Sequence, residues 1–377
     1  MSMTSRERIR LAINHKEPDR VPVDWGILNV AGIHETAYRN LLKYLGREEA
    51  IAIHDPIQIL ALPSDYILDM FGVDTRYIMA NPPSNWRLEH NEKGDWTNEF
   101  GTTYSRVGDY CDFTDFPLGG CETIEDLKKY KMPDPTDPAR FAGLREKAKE
   151  MYENTDYALC AYPVPTIHYM AWSMRGFERY LLDMAADIKL ANYIADMIID
   201  YHMAFMECFL REVGDYLDII WAGDDWGTQS GPIINPDTFR AHVKPRITKL
   251  NRFLKDRCGA KLGYHCCGSI YWCLGDLIDA GVDIIQPVQA NAADMTDSER
   301  LKREFGDKLV FHGTTDNQGT YHTTPEIIQE NARRKIEAFA PGGGFIFSSG
   351  HNIQSNCPPE NIIALFDTVK KWGSYSK

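Results

Sequence analysis

From residue 156 onward, apolar runs alternate with segments in which apolar residues recur at helical spacing. Six apolar runs have the pattern of strands: 156–163, 216–225, 260–268, 282–289, 308–316 and 344–352. Helical patterns lie between and after them: 187–213, 236–257, 269–280, 297–305, 324–339 and 358–373. Continuous apolar runs are typical of strands buried on both faces. The alternation of strands and helices predicts a parallel sheet with right-handed crossovers.

The N-terminal part of the chain has a less regular pattern. A short strand is predicted at 20–26, which makes seven, and the eighth is expected near 52–62. Residues 75–120 are too few for an independent core, so they predict an insertion or cap. The chain lacks the G-x-G-x-x-G turn of a dinucleotide-binding sheet. The sequence therefore predicts the α/β class, with one (β/α)8 TIM barrel domain over 1–377 and an N-terminal insertion.

Composition narrows the classes of function. The 377 residues carry 41 Lys+Arg and 54 Asp+Glu, a net charge of −13, which argues against nucleic-acid binding. The nine cysteines do not form the framework of a small secreted domain, which favours reduced thiols. A highly charged N-terminal stretch and the lack of an 18-residue apolar run predict a cytoplasmic protein outside the membrane.

Titratable and polar residues follow the predicted strands where each one ends, which is where barrel enzymes build their active sites. These residues are Asp24, Asp224, Asp225, His265, Gln289, Asp316 and His351, with Gln229 close behind the adjacent aspartates. Asp224 and Asp225 are candidate catalytic carboxylates, with a solvated turn or helix cap as the alternative. Candidate substrate-binding residues are Asp24, Gln229, Gln289 and Asp316. For Asp24 the alternative is a lock on the first strand, and for Asp316 it is a turn cap.

The most specific motif is Tyr-His-Cys-Cys-Gly at 264–268. In an extended segment residues i and i+2 point the same way, so His265 and Cys267 form a half-site for Zn²⁺. His351, at the end of the last strand, is the candidate third ligand, and Cys357 is its alternative. Three protein ligands leave a fourth position open, as in catalytic zinc sites. The competing interpretation is a buried pair of cysteines beside a hydrogen-bonded histidine.

Longer stretches of the chain resemble one family. They are RERIRLAINHKEPDRVPVDWG, DIIWAGDDWGTQSGPIINPDTFRAHVKPR, YHCCGSI, GVDIIQPVQ and GGGFIFSSGHNIQSNCPPENI. In this order, over nearly the whole chain, they resemble the uroporphyrinogen decarboxylase superfamily, whose members share a (β/α)8 barrel. Its true decarboxylases carry an Arg-Gln-x-Gly-Arg segment shortly after the first strand. Here, over 27–40, the two arginines of that motif are missing, which disfavours a substrate with many carboxylates.

The other branch of this superfamily consists of methyltransferases that work with corrinoid proteins. Their zinc site has a His-x-Cys pair and a later Cys near the last strand. His265 and Cys267 match the pair, whereas the position of the late Cys, counted back from the Pro-x-Glu-Asn of the final helix, is His351. The difference implies a ligand swap that keeps zinc, a shift of the ligand to Cys357, or a loss of the metal.

The resemblance implies a zinc-dependent methyltransferase. It would move a methyl group between a small substrate, of the methyl ether, methylamine or thiol class, and a corrinoid (cobalamin) carried by a partner protein. Zinc in an open N/S site lowers the pKa of a thiol or polarises an ether oxygen. The alternatives are a uroporphyrinogen-type decarboxylase and a non-catalytic member of the superfamily that binds a ligand or partner.

Overall fold

The computed structural model describes residues 3–375. Within this range the strands are β1 (Ile33–His34), β2 (Ala52–Asp55), β3 (Leu60–Leu62), β4 (Thr75–Ile78), β5 (Trp96–Thr97), β6 (Thr103–Val107), β7 (Tyr110–Asp115), β8 (Ala158–Ala161), β9 (Ile219–Gly223), β10 (Lys261–His265), β11 (Ile284–Gln286), β12 (Val310–His312) and β13 (Phe345–Ile346). The helices are α1 (Ser5–Ala12), α2 (Glu35–Tyr44), α3 (Asp65–Met70), α4 (Ile124–Leu127), α5 (Leu144–Asn154), α6 (His168–Arg175), α7 (Phe177–Ala186), α8 (Ile188–Val213), α9 (Pro236–Thr238), α10 (Lys244–Lys255), α11 (Leu274–Asp279), α12 (Ser298–Phe305), α13 (Pro325–Phe339) and α14 (Pro359–Trp372).

Seven strands form one parallel sheet, in the order β13-β12-β11-β10-β9-β8-β4. The N-terminal segment lies between the two ends of this sheet. Val23 pairs in parallel with Phe347, and the Asp74 amide donates to the Val23 carbonyl at 2.7 Å. The sheet therefore curls into a TIM-barrel-like arrangement surrounded by helices, which confirms the predicted α/β barrel class.

The six predicted apolar runs each contain one strand of this sheet, from β8 to β13. The prediction of the eighth strand near 52–62 is wrong, because β2 and β3 lie there in a separate antiparallel sheet with β1. The missing strand is β4. The sequence does not predict this strand, because a charged residue, Arg76, stands at a position that is buried. The guanidinium is compensated by Asp65 at 2.7 Å and Asp69 at 2.6 Å, and it stacks on Tyr157 at 3.7 Å.

A second antiparallel sheet, β5–β6–β7, lies within the range 75–120 and is called the β-ribbon below. It is joined to the β1–β3 sheet by one contact between backbone groups and one from a histidine side chain. The Cys111 amide donates to the Ile57 carbonyl at 2.8 Å, and a His34 ring nitrogen lies 2.9 Å from the Asp109 carbonyl. The two small sheets therefore lie side by side outside the barrel.

Among the described residues, none of the helices combines the length and apolarity needed to cross a membrane.

The interior of the barrel combines aromatic and polar side chains. A Cβ atom at Gly263 would lie 2.5 Å from the Trp221 ring, so β10 can pass this tryptophan only because position 263 is glycine. Asp24 is fully buried and accepts hydrogen bonds from Tyr77 Oη at 2.7 Å and His312 Nε2 at 2.9 Å. The carboxylate therefore ties the N-terminal segment to β4 and β12.

Candidate active site

Three side chains with metal-binding atoms meet at the end of the barrel where the parallel strands finish. His265 closes β10, Cys267 follows two residues later, and His351 lies beyond β13. The nitrogen and sulfur atoms that they offer all lie within 4.8 Å of one another. Cys267 Sγ is 3.4 Å from His265 Nε2, and the two histidine rings are 5.7 Å apart at their centroids. The chain thus brings together the three residues predicted as zinc ligands.

The orientation of the His265 ring is set by Gln286, the last residue of β11. His265 Nδ1 donates to Gln286 Oε1, and Gln286 Nε2 donates in turn to the Val30 carbonyl at 2.9 Å. Because the amide is fixed by this second bond, it presents its oxygen to the ring and holds the proton on Nδ1. Nε2 is then the nitrogen with a free lone pair, directed at Cys267.

Burial sets the charge of the other two members of the cluster. It lowers the pKa of His351 to about 4, with a smaller contribution from neighbouring His265, so this imidazole is neutral near pH 7. Burial, together with the nearby Asp225 carboxylate, raises the pKa of the Cys267 thiol well above its usual value. A cation bound at the cluster would reverse this and favour the thiolate. Two imidazoles and one thiol form a donor set that fits Zn²⁺.

The alternative ligand Cys357 is not part of this group. Its thiol is buried and lies 3.7 Å from the carbonyl oxygen of Pro358. Burial raises its pKa to about 12, the same direction as for Cys267, so position rather than acidity separates the two thiols. Of the two candidates for a third ligand, His351 is the one that the fold brings to His265 and Cys267.

The adjacent aspartates after β9 have different surroundings. Asp224 is buried and accepts hydrogen bonds from the amides of Ile167 at 3.1 Å, His168 at 2.9 Å and Tyr169 at 2.8 Å. Burial raises the pKa of Asp224 to about 8 against the opposing effect of these three donors. The Asp224 side chain therefore caps the N-terminal end of α6 and connects it to the end of β9.

Asp225 is only half-buried and faces the cluster. Its Oδ1 accepts from the Cys267 amide at 2.8 Å and lies 3.4 Å from His265 Nε2. This single carboxylate oxygen therefore contacts both members of the His-x-Cys pair. Of the two carboxylates, Asp225 is the one placed to meet a small molecule beside the cluster.

A cavity of about 490 Å³ opens beside His265 and His351, between the barrel and the two small sheets. Its lining residues are Asn29, Val30, Asp55, Ile57, Gln58, Tyr110, Cys111, Phe113, Val164, Thr166, Tyr169, Gly223, Asp224, Asp225, His265, His351 and Gln354. Among the residues that the structure describes, the lining thus includes three carboxyl groups and no Lys or Arg. A second cavity of about 400 Å³ also reaches the cluster and is lined by Cys267, Pro287, Gln289, Asn317, Gln318, Gly350, His351 and Gln354.

The residues predicted to bind substrate lie in different parts of the molecule. Gln289 lines the second cavity, and its Oε1 accepts from the Gly268 amide at 2.7 Å. Gln229 is exposed and accepts from Gln289 Nε2 at 3.1 Å. Asp316 accepts from the Gly319 amide at 2.9 Å, as in a turn cap. Asp24 lies in the barrel interior. Asp24, Gln229 and Asp316 are absent from the linings of both cavities.

Several cavity residues were not predicted from the sequence. Tyr110 and Phe113 of the β-ribbon and Asp55 of β2 come from the irregular N-terminal region, where neither periodicity nor a motif marks them. The aromatic run over 95–116 is the signal that points to a packed surface there. Gln286 is also new, although it lies only three residues before the predicted Gln289.

The chain thus has a TIM-barrel-like fold with three potential metal ligands at the ends of its strands, and comparison with known proteins identifies its family. The family model for uroporphyrinogen decarboxylase (URO-D) matches residues 119–372, more than half of the chain. The chain belongs to the uroporphyrinogen decarboxylase family.

Similarity to individual relatives is partial. A uroporphyrinogen decarboxylase of Thioalkalivibrio sulfidiphilus is 36% identical over 72 residues, which are 19% of this chain and 20% of that protein. Another of Shewanella denitrificans is 21% identical over 254 residues, which cover 66% of this chain and 68% of that protein. The match thus spans only about a fifth of the first relative's length.

Among solved structures, a methyltransferase from Methanosarcina mazei aligns over 98% of this chain and 99% of its own. The TM-score is 0.68 and the sequence identity is 17%. At this identity the likeness establishes a shared fold over nearly the full length of both chains.

Proposed function

We propose that this protein is a zinc-dependent methyltransferase that moves a methyl group between a small substrate and a corrinoid held by a partner protein. The observation that carries the proposal is the meeting of His265, Cys267 and His351, of which His265 and His351 line the cavity of about 490 Å³. The donor set suits Zn²⁺, and three ligands leave a position for a substrate atom. The resemblance of the His-x-Cys pair to corrinoid-linked members of the superfamily supports the same reaction.

The residues of the chain have separate tasks in this proposal. Zinc bound by the three ligands would supply Lewis-acid chemistry toward a thiol or an ether oxygen. Gln286 keeps His265 Nε2 directed at the site, and Asp225 orients the methyl substrate or exchanges its proton. Asp224 holds α6 against β9, so that the wall of the cavity keeps its shape. Gln289 contacts reactants on the side of the second cavity.

Metal analysis tests the ligand set directly. Protein purified without added zinc is expected to contain about one zinc per chain, and the His265→Ala, Cys267→Ala double variant close to none. We expect His351→Ala to lose the metal and His351→Cys to keep it, because a thiolate can replace the imidazole. Cys357→Ala is the matched control and should keep its zinc. Less than about 0.2 zinc per chain in the wild type, unchanged in the double variant, would contradict the proposal.

A uroporphyrinogen-type decarboxylase is the second candidate, favoured by the names of the curated relatives. The cavity argues against it, because a substrate with many carboxylates would meet acidic side chains and no Lys or Arg. Incubation with uroporphyrinogen separates the two candidates. We expect no decarboxylated product. Methyl transfer, which we expect to observe, is followed by the change in the absorption spectrum of cobalamin. Decarboxylation that proceeds in zinc-free protein would establish the second candidate.

A further inference from the structure

One wall of the 490 Å³ cavity is aromatic. It is formed by Tyr110 and Phe113 of the β-ribbon and by Tyr169 at the beginning of α6. The rings of Phe113 and Tyr169 are 6.2 Å apart at their centroids and inclined by 63°, and Phe113 also packs 5.2 Å from Tyr104. Ile57 adds an aliphatic surface beside them. Such a wall is suited to a flat apolar ring, which packs edge to face against aromatic neighbours.

The charges of the cavity disfavour an anionic substrate. Asp55, Asp224 and Asp225 contribute carboxyl groups to the lining, and none of the lining residues is Lys or Arg. A carboxylate or sulfonate on the substrate would lose its hydration without gaining a Lys or Arg partner.

The same carboxyl groups are poorly available to a cationic substrate. Asp55 Oδ1 accepts from the amides of Ile57 at 2.9 Å and Gln58 at 2.8 Å, and burial raises the pKa of this carboxyl. Asp224 is occupied by the three amides at the beginning of α6. A metal ion at the His265–Cys267–His351 cluster would place a further positive charge on the wall, which repels a cation.

We infer, on the basis of the proposed function, that the substrate is an uncharged aryl methyl ether or the phenol that it yields. Its ring lies between Tyr110, Phe113 and Tyr169, and its ether oxygen faces the His265–His351 side of the cavity. A neutral oxygen keeps a lone pair for the metal, which a methylated ammonium group lacks. The volume of about 490 Å³ lies in the range of small-molecule sites and leaves room for ring substituents.

Three ligands with the same methoxyphenyl group and different charges test this inference on the purified protein. They are 4-methoxyphenol, 4-methoxybenzoate and 4-methoxybenzylammonium, with dissociation constants measured by calorimetry. We expect the neutral phenol to bind at least about tenfold more tightly than either ion. Phe113→Ala should weaken binding of the phenol at least about tenfold. Val107→Ala, exposed on the same β-ribbon, is the matched control and should bind like the wild type.

The outcomes separate this inference from the proposed function. The substrate class is overturned if benzoate or the ammonium ligand binds as tightly as the phenol, or if none of the three binds. It is also overturned if Phe113→Ala, confirmed as folded by circular dichroism, binds the phenol like the wild type. Methyl transfer from a non-aromatic donor in such a protein would leave the proposed function intact. Tight, Phe113-dependent binding of the phenol without zinc at the cluster would support the substrate class and contradict the proposed function.

Discussion

His265 shows how a single hydrogen bond decides which ring nitrogen is left for a metal. Gln286 Oε1 accepts from Nδ1, and the amide cannot turn over, because its nitrogen donates to the Val30 carbonyl. Outer partners of this kind fix the tautomer and raise the basicity of the ligating nitrogen. Gln286 is therefore a positioning residue that never needs to touch the substrate.

Replacing Gln286 tests this role. We expect Gln286→Leu to weaken zinc binding about 10–100-fold, because the His265 ring loses its orientation and its fixed proton. Competition with a chromogenic chelator measures the affinity, and circular dichroism confirms that the compared samples are folded. Gln318→Leu, an exposed amide on the rim of the second cavity, is the control and should retain the wild-type affinity. Equal zinc affinity in the two variants would show that the ring is held by packing alone.

The cluster could be predicted from sequence, whereas its supporting residues could not. The i, i+2 spacing of His265 and Cys267 constrains both side chains to one face, so a motif is enough to pair them. Gln286 was missed because the apolar run continues to Gln289. Pro287 has no backbone N–H to donate to the sheet, so β11 ends before it. The last residue of the strand is therefore Gln286, and its side chain lies at the strand end.

At the scale of elements, Asp74 joins the N-terminal segment to the barrel. This buried carboxylate precedes β4 and accepts from Ser5 Oγ at 2.8 Å, Arg8 at 2.6 Å, Arg20 at 2.8 Å and the Val23 amide at 2.8 Å. It thus connects α1, and the N-terminal segment that contains Arg20 and Val23, to β4 of the parallel sheet. Arg8 is itself buried and pairs with both Asp74 and Asp19, so loss of Asp74 leaves this buried charge with one partner fewer.

Removing the Asp74 carboxylate is expected to be costly. Asp74→Ala should lower the free energy of unfolding by about 3–5 kcal/mol, because it leaves a buried guanidinium with one partner fewer. Urea denaturation followed by circular dichroism measures the change. Glu153→Ala breaks the exposed pair with Lys149 and should cost less than about 1 kcal/mol. Similar losses in the two variants would mean that the N-terminal segment contributes little to barrel closure.

The strands that the sequence locates correctly are those whose buried residues are mainly apolar. The strands β8 to β13 lie in continuous apolar runs and could be located without the structure. β4 could not, because its core position is made acceptable by ion pairs from α3 to Arg76, which are contacts between elements. The same holds for Asp24, whose partners Tyr77 and His312 come from β4 and β12. Long-range compensation of buried charge leaves no periodic signal in the chain.

At the scale of the whole molecule, buried histidines make stability depend on pH. Burial lowers the pKa of His54 to about 4, of His168 to about 3 and of His202 to about 4. Below the usual value of 6.5 the unfolded chain binds protons that the folded chain does not, so these groups reduce stability as the pH falls. Asp55 and Asp224 act in the opposite direction, because burial raises their pKa and the folded chain then holds the extra proton. A variant that removes one histidine isolates a single contribution.

His168 is the clearest case, because its ring is buried against Trp226 at 4.7 Å and its Nδ1 lies 2.7 Å from Tyr180 Oη. We expect the free energy of unfolding of the wild type to fall between pH 6 and pH 4.5 more steeply than that of His168→Gln. The difference should be about 1.4 kcal/mol per pH unit, the value for one proton bound only by the unfolded chain. Urea denaturation at a series of pH values measures both slopes. His322→Gln removes an exposed histidine and should keep the wild-type slope. If His168→Gln also keeps that slope, the buried imidazole takes up its proton in the folded protein as easily as in the unfolded chain, and acid sensitivity must come from other groups.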